Sequence, residues 1–421
     1  MKLMASMYRR RGAWVSPWAA FVLLCAVPAA AWARQAVQAA RPTPVRTLLM
    51  AHYMPWFAAK PFSKQWGWHW TMNHFDPDIQ TRGRRNAASY DYPLIGLYDS
   101  GDPDTLTCQA LLMKIAGIDG VIFDWYGNDD YYDYGAVNEN TRRMIPLLEQ
   151  AGMRFAVCYE TQTITTEITG GVFPRSDAVS HGKRLMRWMQ DNFFASPSYL
   201  KQGDQPVLIS FGDPFYNDAE WNEILDVAQP RPLYLTETNR RVATASVGGF
   251  DWPQPSGGTA GALKEQDEFY RASKSWPSFM PAAYPRFRDI YADAGIGKSF
   301  RVIDDREGRT YEDSLTRALK SRASVVQLVT WNDWGEGTQI EPSVEFGYRD
   351  LEKTQRFRRE ILGETKAVYT TSDLRLPVAW YILRKKYVAD PAALAKLATF
   401  PPLILAGRTR EARALLDSFG K

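Results

Sequence analysis

Two rhythms alternate along the chain. Short runs of apolar and β-branched residues are separated by stretches whose apolar positions recur with helical spacing. Residues 47–53 (TLLMAHY), 120–126 (GVIFDWY), 155–160 (FAVCYE), 207–211 (VLISF), 233–236 and 279–283 read as buried strands, with 300–303 a weaker one. Residues 325–331 (VVQLVTW) form the last strand. Between the strands, residues 103–116 place Leu106, Ala110, Leu111 and Ile115 on one stripe, which predicts a helix. Further helices are predicted over 138–151 (ended by Gly152), 180–192, 311–322 and 351–362. Strands alternating with helices imply a parallel sheet. About eight such units predict an α/β fold, a (β/α)8 TIM barrel over residues 47–363. The stretch 250–300 carries the least regular signal. Residues 377–387, 391–398 and 409–419 read as extra C-terminal helices, in a 364–421 extension packed on the barrel. No internal repeat is present.

The first residues read differently. Arg9 to Arg11 precede an apolar stretch from Trp14 to Pro28, and Ala31-Trp32-Ala33 offers a small-x-small cleavage site. Residues 1–33 therefore read as a signal peptide and 34–46 as a linker, which places the protein in the periplasm or outside the cell. An uncleaved signal acting as a membrane anchor is the alternative. The formal charge of +4 comes from this segment. Without Lys2, Arg9, Arg10 and Arg11, the remaining 47 Lys and Arg match 47 Asp and Glu. Such a balance excludes a nucleic-acid footprint. Cys25 leaves with the signal. Cys108 and Cys158 do not make a disulfide framework, and Cys158, inside a strand, reads as a buried thiol. No CxxC, HExxH or P-loop occurs, and neither a cofactor nor a metal is expected. A trio of His69, His74 and Asp76 matches no standard metal spacing. A monomer is expected.

Aromatic content is high, with 15 Trp, 21 Tyr and 20 Phe. Sugar-binding clefts use such rings, because sugar C–H faces pack on them; a core uses them too. In a barrel the site lies at the C-terminal strand ends. Those ends carry His52-Tyr53, Asp124-Trp125-Tyr126, Glu160, Glu237, Tyr284 and the octapeptide Trp331-Asn332-Asp333-Trp334-Gly335-Glu336-Gly337-Thr338. The octapeptide sets Asp333 and Glu336 three positions apart between aromatic rings. Paired carboxylates are what glycosidic cleavage needs, one as an acid and one as a base or nucleophile. The glycines allow a sharp turn and a close approach to a ligand. Trp56, and Trp68-His69 within the cluster Trp66-Gly67-Trp68-His69-Trp70, read as a pocket wall. Tyr98 is a further cleft candidate. Asp99 and Asp102 suit a turn that caps the next helix, and Glu341 suits a structural hydrogen-bonder.

The run Trp-Asn-Asp-Trp-Gly-Glu-Gly-Thr-Gln-Ile-Glu-Pro at 331–342 resembles the motif that closes the barrel in glycoside hydrolase family 99, the endo-α-mannosidases and endo-α-mannanases. It also resembles the Trp-Asn-Asp-x-Gly-Glu run of family 71, the α-1,3-glucanases. Tyr53-Met54-Pro55-Trp56-Phe57 is similar to the opening of the family 99-like group. Tyr92 to Gly96 and Gly117 to Gly127 look like its next segments. The resemblance covers roughly residues 47–362 and implies a (β/α)8 glycosidase without a required metal. It implies that Glu336 is the general acid. Asp333 then matches a carboxylate that is Glu in family 99, proposed there to deprotonate the sugar 2-hydroxyl, and Asp in family 71, which is understood to invert. Gly335 stands where family 99 has His.

The expected function is an exported glycoside hydrolase cleaving an α-linked polysaccharide or glycan, with carbohydrate as its partner. Glu336 and Asp333 are the catalytic candidates. His52, Tyr53, Trp56, Trp68, His69, Tyr98, Asp124, Trp125, Tyr126, Glu160, Tyr284, Trp331, Asn332 and Trp334 are the substrate-binding candidates. The alternatives are a non-catalytic glycan-binding or polysaccharide-assembly protein, and a sugar transferase using the same site.

Overall fold

The computed structural model describes residues 46–212, 215–238, 243–360, 363 and 368–420. The expected signal peptide, and the expected linker up to residue 45, lie outside the described residues. No described helix is long and apolar enough to cross a membrane.

Nine parallel strands form the barrel: β1 (Leu48–Tyr53), β2 (Gly120–Trp125), β3 (Arg154–Glu160), β4 (Gln205–Phe211), β5 (Leu233–Glu237), β6 (Gly248–Phe250), β7 (Ser278–Met280), β8 (Ala282–Ala283) and β9 (Val325–Leu328). Each pairs with the next in chain order except β7 and β8, which are one run broken at Pro281. The run pairs with β6 before Pro281 and with β9 after it. Pro281 has no N–H to give a ladder, but its carbonyl accepts from Gln327 N–H at 3.0 Å. β9 pairs with β1, Leu48 opposite Val325, and this contact brings the last strand back to the first. The eight staves bear out the predicted (β/α)8 TIM barrel.

Local chemistry sets the connections. Helix α1 (Pro103–Ala116) starts at Asp102, whose carboxylate accepts from Asp104 N–H at 3.0 Å, as the sequence predicts for that cap. Gly117 ends it at φ +81°. There follow α2 (Tyr134–Gln150), α3 (Gln162–Thr169), α4 (Ala178–Met189), α5 (Asp218–Leu225), α6 (Gly258–Ala272), α7 (Arg309–Lys320) and α8 (Arg349–Glu360). β6 escapes sequence reading because two of its three residues are glycine. There is a steric reason for glycine, since a Cβ on Gly248 would lie 1.7 Å from the Ser278 carbonyl oxygen. Residues 300–303 are not a strand. Phe300 and Val302 are exposed, and Ile303 makes only an isolated bridge to Phe287.

Four C-terminal helices, α9 (Leu376–Lys386), α10 (Pro391–Leu397), α11 (Phe400–Leu405) and α12 (Thr409–Asp417), share the barrel's hydrophobic core. Trp380 stacks on Phe400, with ring centroids 5.9 Å apart. Arg384 and Lys385 pair with Asp104 and Asp102 at the start of α1, at 2.8 and 2.6 Å. Cys108 and Cys158 are both buried free thiols.

Candidate active site

A cavity of about 250 Å³ opens among the C-terminal strand ends. His52, Trp56, Trp68, His69, Asp124, Tyr126, Glu160, Asp333 and Glu336, all predicted from sequence, line it. Strand pleating sorts the remaining candidates, because successive side chains take opposite faces. Asp124 faces the cavity, whereas Trp125 turns out to the helices. It stacks on Trp188 of α4 (5.7 Å, 11°) and donates to Asn138 of α2 at 3.1 Å. Trp125 is therefore not a sugar platform.

Trp331, Asn332, Trp334, Tyr53, Tyr98 and Tyr284 do not reach the cavity either. All are buried, and most brace the turn at 331–338. The Tyr98 hydroxyl accepts from Asn332 Nδ2 and Trp334 Nε1, both at 3.1 Å, and donates to Glu341 Oε2 at 2.8 Å. Asn332 also takes both backbone groups of Met54, so the octapeptide is stitched to the end of β1. The Tyr53 hydroxyl donates to Gln109 Oε1 at 2.6 Å, and Gln109 donates to Glu341 Oε1 at 2.7 Å. Trp331 and Tyr284 are packed into core clusters. Glu341 has the structural role expected of it.

The turn itself follows from its glycines. Gly337 sits at φ +67°, and a Cβ there would lie 2.9 Å from the Arg288 carbonyl oxygen. This closeness lets the 288–290 segment pair with the turn, through Arg288 N–H to Glu336 O at 2.7 Å and Ile290 N–H to Gly335 O at 3.0 Å. The pairing delivers Tyr291, whose hydroxyl donates to Glu336 Oε1 at 2.9 Å. A Cβ on Gly335 would lie 2.9 Å from the Met72 methyl, so Met72 occupies space that a larger residue would need.

Four carboxyl groups share this low-dielectric space. Burial pushes Glu336 well above the usual glutamate range; the Asp333 charge adds to this, and the Tyr291 hydrogen bond opposes it. Burial raises Asp333 only to about 6, because the backbone N–H groups of Glu336 and Gly335 favour its charged form. Glu336 N–H donates to Asp333 Oδ1 at 3.0 Å. Asp124 is also raised well above its usual value, by burial first and then by Glu160. Gln162 Nε2 donates to Glu160 Oε2 at 2.7 Å. The surroundings thus favour a proton on Glu336 and on Asp124, while the backbone N–H groups favour the charged form of Asp333. Burial lowers His52 to about 4, leaving a neutral imidazole.

Rings form the walls. His69 stacks on Trp56 at 4.0 Å and 5°. Trp252 sets its edge to His52 and tilts against Phe211, both at 4.8 Å. A second hollow of about 1240 Å³ adjoins the first and shares Trp56, Trp68, His69, Tyr126 and Gln162 with it. The two hollows thus have these side chains as common walls.

No model of a known protein family matches the chain. Curated relatives do. It is 25% identical over 312 residues to a glycoprotein endo-α-1,2-mannosidase-like protein of Danio rerio, covering 66% of each chain. It is 22% identical over 340 residues to the glycoprotein endo-α-1,2-mannosidase of Mus musculus, covering 72% of this chain and 69% of that one. The GH99 endo-α-mannosidase of Bacteroides thetaiotaomicron superposes with a TM-score of 0.58 at 18% identity, over 76% of this chain and 98% of that chain. The chain is thus similar to the family 99 glycosidases in sequence and in fold. Its curated relatives carry the family 99 side of the expected 71/99 resemblance.

In this family 99-like barrel, sequence reasoning missed Tyr291, Trp252, Phe211, Met72 and Gln162 as lining residues. One signal was available. The run Phe250-Asp251-Trp252 repeats the strand-carboxylate-aromatic order of Phe123-Asp124-Trp125. Tyr291 lies in an irregular stretch with no periodicity to mark it.

Proposed function

We propose that this family 99-like protein is a glycoside hydrolase cleaving an α-mannosidic bond within a polysaccharide or glycan. The carrying observation is the unequal setting of two neighbouring carboxyls in one cavity: burial and the Asp333 charge push Glu336 well up, whereas two backbone N–H groups hold Asp333 to about 6. Divergent values in one site are how acid and base roles are divided. Glu336 gives its proton to the glycosidic oxygen as the C–O bond breaks. Asp333 takes a proton from the attacking oxygen, which is either water or the sugar's own neighbouring hydroxyl. The protonated Asp124 donates to a sugar hydroxyl, and Trp56, Trp252 and Tyr126 supply faces for the rings. The two adjoining hollows favour endo action, because a chain running along them leaves both ends free. The curated relatives are endo-α-1,2-mannosidases by name, which favours an α-mannoside among α-linked substrates.

The test is hydrolysis of α-mannan and α-manno-oligosaccharides by wild type, Glu336→Gln and Asp333→Asn. Each variant is expected to lose about 10²–10⁴-fold in kcat, the usual worth of general acid–base help. Wild-type turnover in either removes that residue from the mechanism. The anomer released first, read by proton NMR, tells water attack from attack by the neighbouring hydroxyl. We also propose export, on the charged, apolar and small-residue order of residues 1–33. Sequencing the N-terminus of the mature protein checks it, and retention of Met1 overturns it.

A further inference from the structure

A second cluster lies outside the cavity. Asp129 (after β2), Glu167 (in α3) and His181 (in α4) bring one ligand atom each within 4.8 Å of one another. His181 Nε2 is 2.6 Å from Asp129 Oδ2, and Phe173 stacks on the imidazole at 4.2 Å. Glu167 is 1% exposed, neither of its oxygens meets a donor, and the Asp129 carboxyl lies beside it. As carboxylates, Glu167 and Asp129 have no donor between them. A buried charge without a partner is costly. Arg184 acts on Asp129 at longer range. Something positive, a proton or a metal ion, belongs beside Glu167.

Two carboxylate oxygens and an imidazole nitrogen are a ligand set for zinc-class ions. We propose that Asp129, Glu167 and His181 form a binding site for a divalent cation of the zinc class, separate from the catalytic cavity. Ligands around one such ion stand about 3–3.5 Å apart. Binding therefore replaces the His181–Asp129 hydrogen bond and draws Glu167 inward. The Asp129 side chain is 30% exposed, which leaves water access to a further coordination position. The ion would tie the loop after β2 to α3 and α4. That loop and α3 carry Tyr132, Asp133 and Thr166, which line the larger hollow. The site thus fixes one wall of that hollow without touching the reacting bond.

The experiment is calorimetric titration of the chelator-treated, dialysed full-length protein with zinc chloride and, separately, manganese chloride, with thermal melts alongside. Expected are one zinc equivalent bound and a raised Tm. Glu167→Gln and Asp129→Asn should each weaken zinc binding at least tenfold, with far-UV and near-UV circular dichroism unchanged. His52→Gln tests the other trio of donors, His52, Asp124 and Cys158. Zinc binding lost in His52→Gln but kept in both carboxylate variants overturns the proposal. So does the absence of binding to wild type, which assigns the positive charge to a proton on Glu167.

Discussion

The Tyr291 hydroxyl stands 2.9 Å from Oε1 of Glu336, across 45 residues of sequence. It donates to the carboxyl that the proposed mechanism makes the acid, and so favours the form left when that proton is released. In Tyr291→Phe the Glu336 value should rise further, because the opposing hydrogen bond is gone. A hydrogen bond to a charged group is worth about 1.5–3 kcal/mol, so kcat should fall by roughly tenfold to a hundredfold. The alkaline limb of the rate profile should move to higher pH. An unmoved limb would show that Tyr291 serves only to pack the loop.

The profile as a whole should be bell-shaped. The proposed mechanism needs Asp333 ionised, so kcat/KM should fall below about pH 6. It needs Glu336 protonated, so the upper limb should lie well above the usual glutamate range. A rate that keeps rising toward pH 4 would contradict the assignment of Asp333 as base.

The same burial carries a stability cost. The folded value of Asp333, about 6, lies above its usual 3.8, so folding takes up a proton between these pH values. The stabilising contribution is full below about pH 4 and is lost as pH rises through 6. Asp333→Asn keeps an oxygen for the Glu336 N–H but carries no charge. It should be more stable than wild type at pH 7.5 by about 3 kcal/mol, a gap that closes near pH 4. Chemical denaturation at the two pH values measures this directly.

Two tryptophans should behave oppositely. Trp56 lines the cavity, and Trp56→Ala should raise KM about tenfold while leaving the fold intact. Trp125 is sealed among Trp188, Phe193 and Tyr159. Trp125→Ala should cost about 3–5 kcal/mol of stability. A paired melt and Michaelis analysis separates them, and exchanged phenotypes would reverse the two placements.

Much of the barrel was legible because buried parallel strands are continuous apolar runs, as in β1 through β5 and β9. β6 was not, since Gly248 and Gly249 carry no side chain by which to read a strand. The catalytic turn was legible from Asp333, Glu336 and their glycines. The direction of its tryptophans was not. A sequence places Trp331 and Trp334 at a strand end, but only the Tyr98 hydroxyl and the packing around them decide that they face inward. Tyr291 depends on a loop pairing at Gly335 and Glu336 that no local pattern announces.

The hub at Tyr98 separates two kinds of change. Asn332, Trp334 and Glu341 are fastened to one hydroxyl beneath the turn, while the walls of the larger hollow come from other loops, around Trp68 and Tyr132. Substitutions in those loops can alter which glycan is accepted without disturbing the proton-transfer geometry. Substitutions at Tyr98 would disturb every substrate alike. The barrel is in this sense a fixed reaction centre with exchangeable walls.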